Sequence, residues 1–87
     1  MLNYKRSAGL IEGEKDGEIL ARIRFEALDD DHWNISSTWV DPSLRGQGIA
    51  SDLVQMVVDE ADEKNIRCVA TCSYAVEWLE RKGRKAQ

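Results

Sequence analysis

The hydrophobic period of this chain changes across VDPSLRGQGIASDLV, residues 40–54. Upstream, HWNISSTWV (32–40) reads as a strand. Downstream, Ile49, Leu53, Met56, Val57 and Ala61 fall at i, i+4, i+7, i+8 and i+12, one face of an amphipathic helix that Val54 and Val58 widen. Asp41-Pro42 opens a turn, and Arg45, Gly46 and Gly48 stand where the helix begins. Free N–H groups and the positive dipole end at a helix N-terminus form a ready anion site. Two glycines remove the Cβ atoms that would hold a diphosphate away from those amides, and Arg45 adds a fork of donors at the rim. The same glycines also suit a tight strand-to-helix entry, so spacing alone leaves both readings open. The pattern is not a P-loop, because Gly-Lys-Ser/Thr is missing. A dinucleotide fingerprint is excluded by the missing third glycine.

Working outward, AGLIEGE (8–14), the turn Lys15-Asp16-Gly17 and EILARIRFEAL (18–28) precede the 32–40 strand. Ile19, Ala21, Ile23 and Phe25 alternate with Arg22, Arg24 and Glu26, as in a half-buried strand. Short turns favour an antiparallel meander. After the helix, which Asn65 closes, IRCVATC (66–72) reads as a strand parallel to 32–40 by a right-handed crossover. SYAVEWLERKG then makes a last helix, with Ser73 as N-cap and Gly83 as stop. The expected fold class is α+β: three antiparallel strands, a helix, a parallel strand splayed from the third, and a C-terminal helix. It forms a single domain over residues 1–87.

Composition narrows the function classes. The 87 residues carry 43% hydrophobic and 32% charged side chains, ordinary for a globular protein. A net charge of −4 argues against a nucleic-acid partner. The basic segment RKGRK (81–85) reads as a solvated tail complementing a helix C-terminus. No apolar run approaches the ~20 residues of a membrane span, and no h-region follows the basic residues near the start. Cys68 and Cys72, about 13 Å apart along one strand, are beyond disulfide reach and lack the partners of a zinc site. These features predict a cytoplasmic protein without a metal.

RGQGIA (45–50) matches the Arg/Gln-x-x-Gly-x-Gly/Ala signature of the GNAT superfamily of acetyl-CoA-dependent N-acetyltransferases. The wider frame resembles the small YjdJ-like GNAT domains in Val40, Pro42, Arg45 to Ala50, Leu53, the Cys72-Ser73-Tyr74 segment and VEWLERKG, over roughly residues 8–83. The resemblance implies that the amides of Arg45, Gly46, Gln47, Gly48, Ile49 and Ala50 hold the CoA pyrophosphate, with Ser51 as a further hydroxyl donor. It implies a pantetheine arm between Trp39-Val40 and Thr71-Cys72, pairing as a missing strand would. The implied cosubstrate is acetyl-CoA, and the implied reaction is acetyl transfer to an amine of a protein, peptide or small molecule.

Acyl transfer needs a nucleophile, donors for the oxyanion and an acid for the leaving thiolate. Cys72, at a strand end before a helix, is the candidate nucleophile or acid; the alternative is a small buried hydrophobe. Tyr74 is the candidate proton donor to the thiolate; the alternative is an amphipathic side chain at the core edge. YjdJ-like domains often carry His-Thr where this chain has Ser37-Thr38, so the base they would supply is replaced by a hydroxyl. His32 reads as a solvated turn residue, Glu77 as a solvated helix position, and Cys68 as core. Trp33, Trp39 and Trp78 read as core and crevice walls. Two other classes compete: a non-catalytic acyl-CoA-binding module, and a structural or protein-interaction domain whose glycine turn is geometry alone. The residues leave the acceptor and the oligomeric state open.

Overall fold

A computed structural model describes residues 2–84; Lys85, the end of the basic segment, lies outside them. The strands are β1 (Asn3–Ser7), β2 (Leu10–Lys15), β3 (Glu18–Asp29), β4 (His32–Val40) and β5 (Arg67–Ala70). The helices are α1 (Ile49–Glu63) and α2 (Ser73–Arg81), with one 3-10 turn at Pro42–Leu44. The sheet runs in chain order β1-β2-β3-β4-β5, antiparallel throughout except for the parallel pair β4-β5.

The expected α+β arrangement is present, with one strand more than the periodicity gives. NYKRS has no apolar alternation because β1 is an exposed edge strand, paired with β2 from Asn3↔Glu14 to Ser7↔Leu10. Ala8-Gly9 is therefore a turn rather than strand. Asp16 and Gly17, with φ of 52° and 82°, form the two-residue link between β2 and β3, as Asp-Gly does in a type I′ hairpin.

One face of the sheet holds the core. Ile11, Ala21, Ile23, Phe25 and Ile35 meet Leu53, Val54, Val57, Val58 and Ala61 of α1 and Ala75, Trp78 and Leu79 of α2. Ile49 and Met56, expected on the apolar face of α1, lie at its half-buried margin. Asn65 (φ 57°) and Gly83 (φ 73°) follow the two helices in the left-handed conformation. The bonds Ile66 N–H to Ala61 O (2.8 Å) and Arg84 N–H to Leu79 O (2.8 Å) close both ends in Schellman fashion. At the start of α2 the N-cap is Cys72 rather than Ser73: Val76 N–H already bonds Cys72 O at 3.0 Å, which places Ser73 inside the first turn. Arg84 of the basic segment pairs with Asp62 at 2.8 Å, across the ends of the two helices.

Candidate active site

The site begins where the parallel pair parts. β4 and β5 are in register from His32↔Arg67 to Ile35↔Ala70. Beyond that point, the N–H groups of Thr71 and Cys72 both bond Ile35 O, at 3.1 and 3.2 Å. β4 continues to Val40 while the other chain turns into α2, so the two separate. β4 ends where Asp41 N–H bonds Leu20 O at 2.8 Å, and the Asp41 carboxylate accepts from Ser43 N–H at 3.0 Å to set the 3-10 turn. The Ser43 hydroxyl and amide bonds, with Arg45 nearby, hold the Asp41 carboxyl below its ordinary range.

The chain then reaches the glycine turn. Gly46 (φ 84°) and Gly48 (φ 78°) occupy conformations that L side chains adopt at a cost of about 1–2 kcal/mol, and Gly48 is the N-cap of α1. The first bond into the helix is Asp52 N–H to Gly48 O, 3.0 Å. Among the described residues, no backbone acceptor takes the N–H groups of Gly46, Gln47, Gly48, Ile49, Ala50 or Ser51. A Cβ built on Gly46 or Gly48 meets nothing within 4 Å, so the space above the amides is open. The glycines meet both demands at once: they permit the left-handed turn and leave the approach to the amides clear.

A cleft of about 370 Å³ runs from this turn to the parting strands. Thr38, Trp39, Val40, Arg45, Gly46, Gly48, Ile49, Ala50 and Tyr74 border it, which brings together most of the residues singled out from the sequence. Gln47 faces a neighbouring groove with Leu2, Tyr4, Lys15 and Asp52. Ser51 points elsewhere: its hydroxyl accepts from Trp78 Nε1 at 2.9 Å, tying α2 to the first turn of α1. Trp39 is 39% exposed, with the Arg22 guanidinium 5.8 Å from its ring centre.

Cys72 stands at the mouth of the opening, its thiol donating to Thr38 Oγ1 across the gap at 3.5 Å. Burial pushes this thiol up. The contact with Thr38 and the nearby backbone N–H groups of Ala75 and Tyr74 at the start of α2 favour the thiolate and outweigh it, so the thiol lies below its ordinary value. Cys68, 5% exposed, is pushed up to about 11 by burial and by Asp62. Cys68 therefore stays a neutral thiol at neutral pH. Limited iodoacetamide treatment followed by mass spectrometry should modify Cys72 and spare Cys68. The midpoint of the Cys72 rate against pH should fall below that of an ordinary thiol. Equal labelling of the two cysteines would contradict this assignment.

The other candidates divide. His32 bonds Asp29 Oδ1 at 2.9 Å, on the far side of the register from the glycine turn. Glu77 is exposed on α2. Thr38, Glu26 and Asn34 were not singled out from the sequence. Asn34 sits between Trp33 and Ile35, where alternation predicts an outward side chain, yet it is 7% exposed, with Nδ2 donating to Glu26 Oε2 at 2.6 Å and to Thr71 Oγ1 at 3.1 Å. Among the described residues, no group of three or more His, Cys, Asp and Glu side chains is placed to hold a metal ion. No helix among them is long and apolar enough to cross a membrane.

A mixed sheet whose single parallel pair opens onto a glycine-led helix defines an α+β domain with an anion-ready cleft at its strand ends. The family model of the GCN5-related N-acetyl-transferases matches residues 10–87. A GCN5-like protein from Staphylococcus aureus, solved by NMR, is 32% identical with a TM-score of 0.78, covering 93% of this chain and 80% of that one. A Mycobacterium tuberculosis protein in complex with CoA is 20% identical (TM-score 0.70), covering 86% of this chain and 47% of that one. A GNAT family acetyltransferase from Elizabethkingia anophelis with acetyl-CoA bound is 22% identical (TM-score 0.67), covering 85% of this chain and 51% of that one. The comparison with curated proteins gave no match. The chain belongs to the GCN5-related N-acetyltransferase (GNAT) family.

Proposed function

We propose that this protein is an acetyl-CoA-dependent N-acetyltransferase acting on an amine acceptor. The observation that carries the reading is the row of free amides after Arg45, of which Gly46, Gly48, Ile49 and Ala50 border a cleft that reaches Thr38 on β4, the residue Cys72 Sγ contacts at 3.5 Å. The amides and Arg45 fit a pyrophosphate, and the unpaired edge of β4 from Ser37 to Val40 fits the amides of an extended arm. The Mycobacterium and Elizabethkingia proteins were solved with CoA and acetyl-CoA, and the shared fold supports the same ligand class here.

In the transfer, the acetyl carbon leaves sulfur for nitrogen. The amine loses a proton and the departing thiolate gains one. Tyr74, on the cleft wall, is the proposed donor to that thiolate. Cys72 is the proposed nucleophile of a two-step route: its thiolate takes the acetyl group and releases CoA, and the amine then attacks the Cys72 thioester. The proposed oxyanion donors in either route are backbone N–H groups on the edge of β4 left unpaired beyond Ile35.

The test is incubation with acetyl-CoA alone and with an amine panel, followed by intact-mass spectrometry and assay of released CoA thiol. Expected is a 42 Da adduct, roughly the mass of one acetyl group, on the wild type that is lost in Cys72→Ala. Turnover without that adduct, retained in Cys72→Ala, would replace the two-step route by direct transfer. Binding without adduct or turnover would favour a non-catalytic acyl-CoA module, the reading that Ser37 in place of histidine supports.

A further inference from the structure

β4 carries a bulge just past the point where its parallel partner leaves it. Arg24 of β3 pairs with Ser37, and the next residue, Phe25, pairs with Ile35, so Ser36 is the extra residue of β4. Its hydroxyl bonds Arg24 O at 3.4 Å. A bulge breaks the alternation of a strand and re-aims the side chains beyond it. Strict alternation from the buried Ile35 would turn Ser37 and Trp39 toward the helices and Thr38 away from them. The bulge reverses this. Thr38 stands opposite Ile23, a core residue, and Trp39 stands opposite Arg22 on the bare face, which neither helix covers.

The re-aimed hydroxyl meets a sulfur across the gap. Thr38 borders the cleft that runs to the glycine turn, and its Oγ1 lies 3.5 Å from Cys72 Sγ. Cys72 is fixed from its own side, where its N–H bonds Ile35 O at 3.2 Å and its carbonyl accepts from Val76 N–H at 3.0 Å. A hydroxyl is both donor and acceptor. Facing a thiol, Thr38 Oγ1 accepts the S–H; once that proton has gone to solvent, the hydroxyl turns and donates to the thiolate.

A half-buried thiolate needs such donors, because burial disfavours the charged sulfur. The ionisable side chains of the surrounding elements do not supply the compensation. β4 has none from Ser36 to Val40. Arg45 on the turn, Asp52 on α1, Arg67 on β5, and Tyr74 and Glu77 on α2 take no part in lowering this thiol. Neutral groups lower it: the Thr38 hydroxyl first, then the nearby N–H groups of Ala75, Tyr74 and Thr38 itself.

We propose that Thr38 is the positioning residue of Cys72: its hydroxyl, turned into the gap by the bulge at Ser36, holds the sulfur as a thiolate at the edge of the cleft. This rests on the two-step reading of the transfer and names the residue that readies its nucleophile.

The probe is iodoacetamide, which alkylates a thiolate and releases iodide, applied to the free protein from mildly acidic to alkaline pH and read by peptide mass spectrometry. Thr38→Val keeps the shape of the side chain and removes the hydroxyl. At neutral pH it should slow Cys72 alkylation about three- to tenfold, the loss of a bond to a charged group being partly offset because a less acidic thiol gives the more reactive thiolate. The midpoint of the profile should move to higher pH, and the alkaline plateau should equal or exceed that of the wild type. Thr38→Ser should restore the wild-type midpoint. With acetyl-CoA, formation of the acetyl adduct should slow in Thr38→Val and recover in Thr38→Ser.

Cys68 reports on folding in the same digest, since a buried thiol is alkylated only when the domain opens. If Thr38→Val labels there, Thr38→Ala, which also lacks the hydroxyl, takes its place. An unmoved midpoint without the hydroxyl, a serine variant that behaves like valine, or a lowered plateau at an unchanged midpoint would overturn the proposal. The alkylation profile uses no CoA. If acetyl-CoA leaves no adduct on the wild type, the two-step route falls, and the profile still decides whether Thr38 holds the thiolate.

Discussion

Gly48→Trp should weaken acetyl-CoA in titration calorimetry by at least a hundredfold, or about 2.7 kcal/mol. The expectation follows from two facts about one residue. A Cβ at position 48 meets nothing within 4 Å, so an indole added there has no room to claim except the open space over the free amides. The positive φ of 78° costs any L side chain about 1–2 kcal/mol, which lowers Tm by roughly 5–15 °C and leaves a domain of ordinary stability folded. Gly48→Ala separates the two effects, since it carries the same backbone cost and puts only a methyl over the amides. The alanine variant should therefore match the tryptophan variant in Tm and keep most of the affinity. Equal loss of binding in both would mean that turn geometry, rather than open space, is what the ligand requires.

Trp78→Ala should remove about 3–5 kcal/mol of stability and lower Tm by at least about 12 °C in a scanning melt. Trp78 is 2% exposed in the core shared by sheet and helices, with Lys82 Nζ 5.4 Å from its ring centre. Its Nε1–H is satisfied by Ser51 Oγ, so the substitution empties a cavity and frees a hydroxyl in the first turn of α1. Because that turn also presents the Ala50 and Ser51 amides, CoA affinity should fall along with stability. Ser51→Ala isolates the hydrogen bond: the buried indole N–H loses its partner at a cost of about 1–3 kcal/mol, with the packing intact. A Trp78→Ala melt within a few degrees of wild type would show that α2 contributes little to the core.

Much of this was legible in the residues, and the remainder has physical reasons. The change of period at residues 40–54 gave β4, the turn and α1, because a half-buried strand and an amphipathic helix write different periods into the chain. β1 was missed because an exposed edge strand is held by its backbone ladder and needs no apolar alternation, as NYKRS shows. Ser73 was read as the N-cap because its hydroxyl suits the position. The structure places Cys72 there, with no side-chain cap bond, which keeps the thiol free to face Thr38.

The site divides in the same manner. Glycines and an arginine announce an anion turn by type and spacing. The Glu26–Asn34–Thr71 contact joins β3, β4 and the residue just after β5, so no local pattern carries it. Ser51 is expected as a hydroxyl donor from the family resemblance; in the structure its oxygen accepts from Trp78 Nε1, two elements further along the chain.

Short connections shape the rest. β1 and β2 are joined by Ala8-Gly9 and β2 and β3 by Asp16-Gly17, so no helix from these links covers the bare face. Leu28, Trp39 and Glu26 are exposed there.

The most direct test of the central claim is a nitrogen-15 NMR titration of the wild-type protein with CoA. Saturable shifts are expected in the amides of Gly46 to Ser51 and in Thr38 to Val40, with Cys72 and Tyr74 following as the arm enters the opening. Absence of shifts at near-millimolar CoA, or shifts that leave the glycine turn untouched, would contradict it.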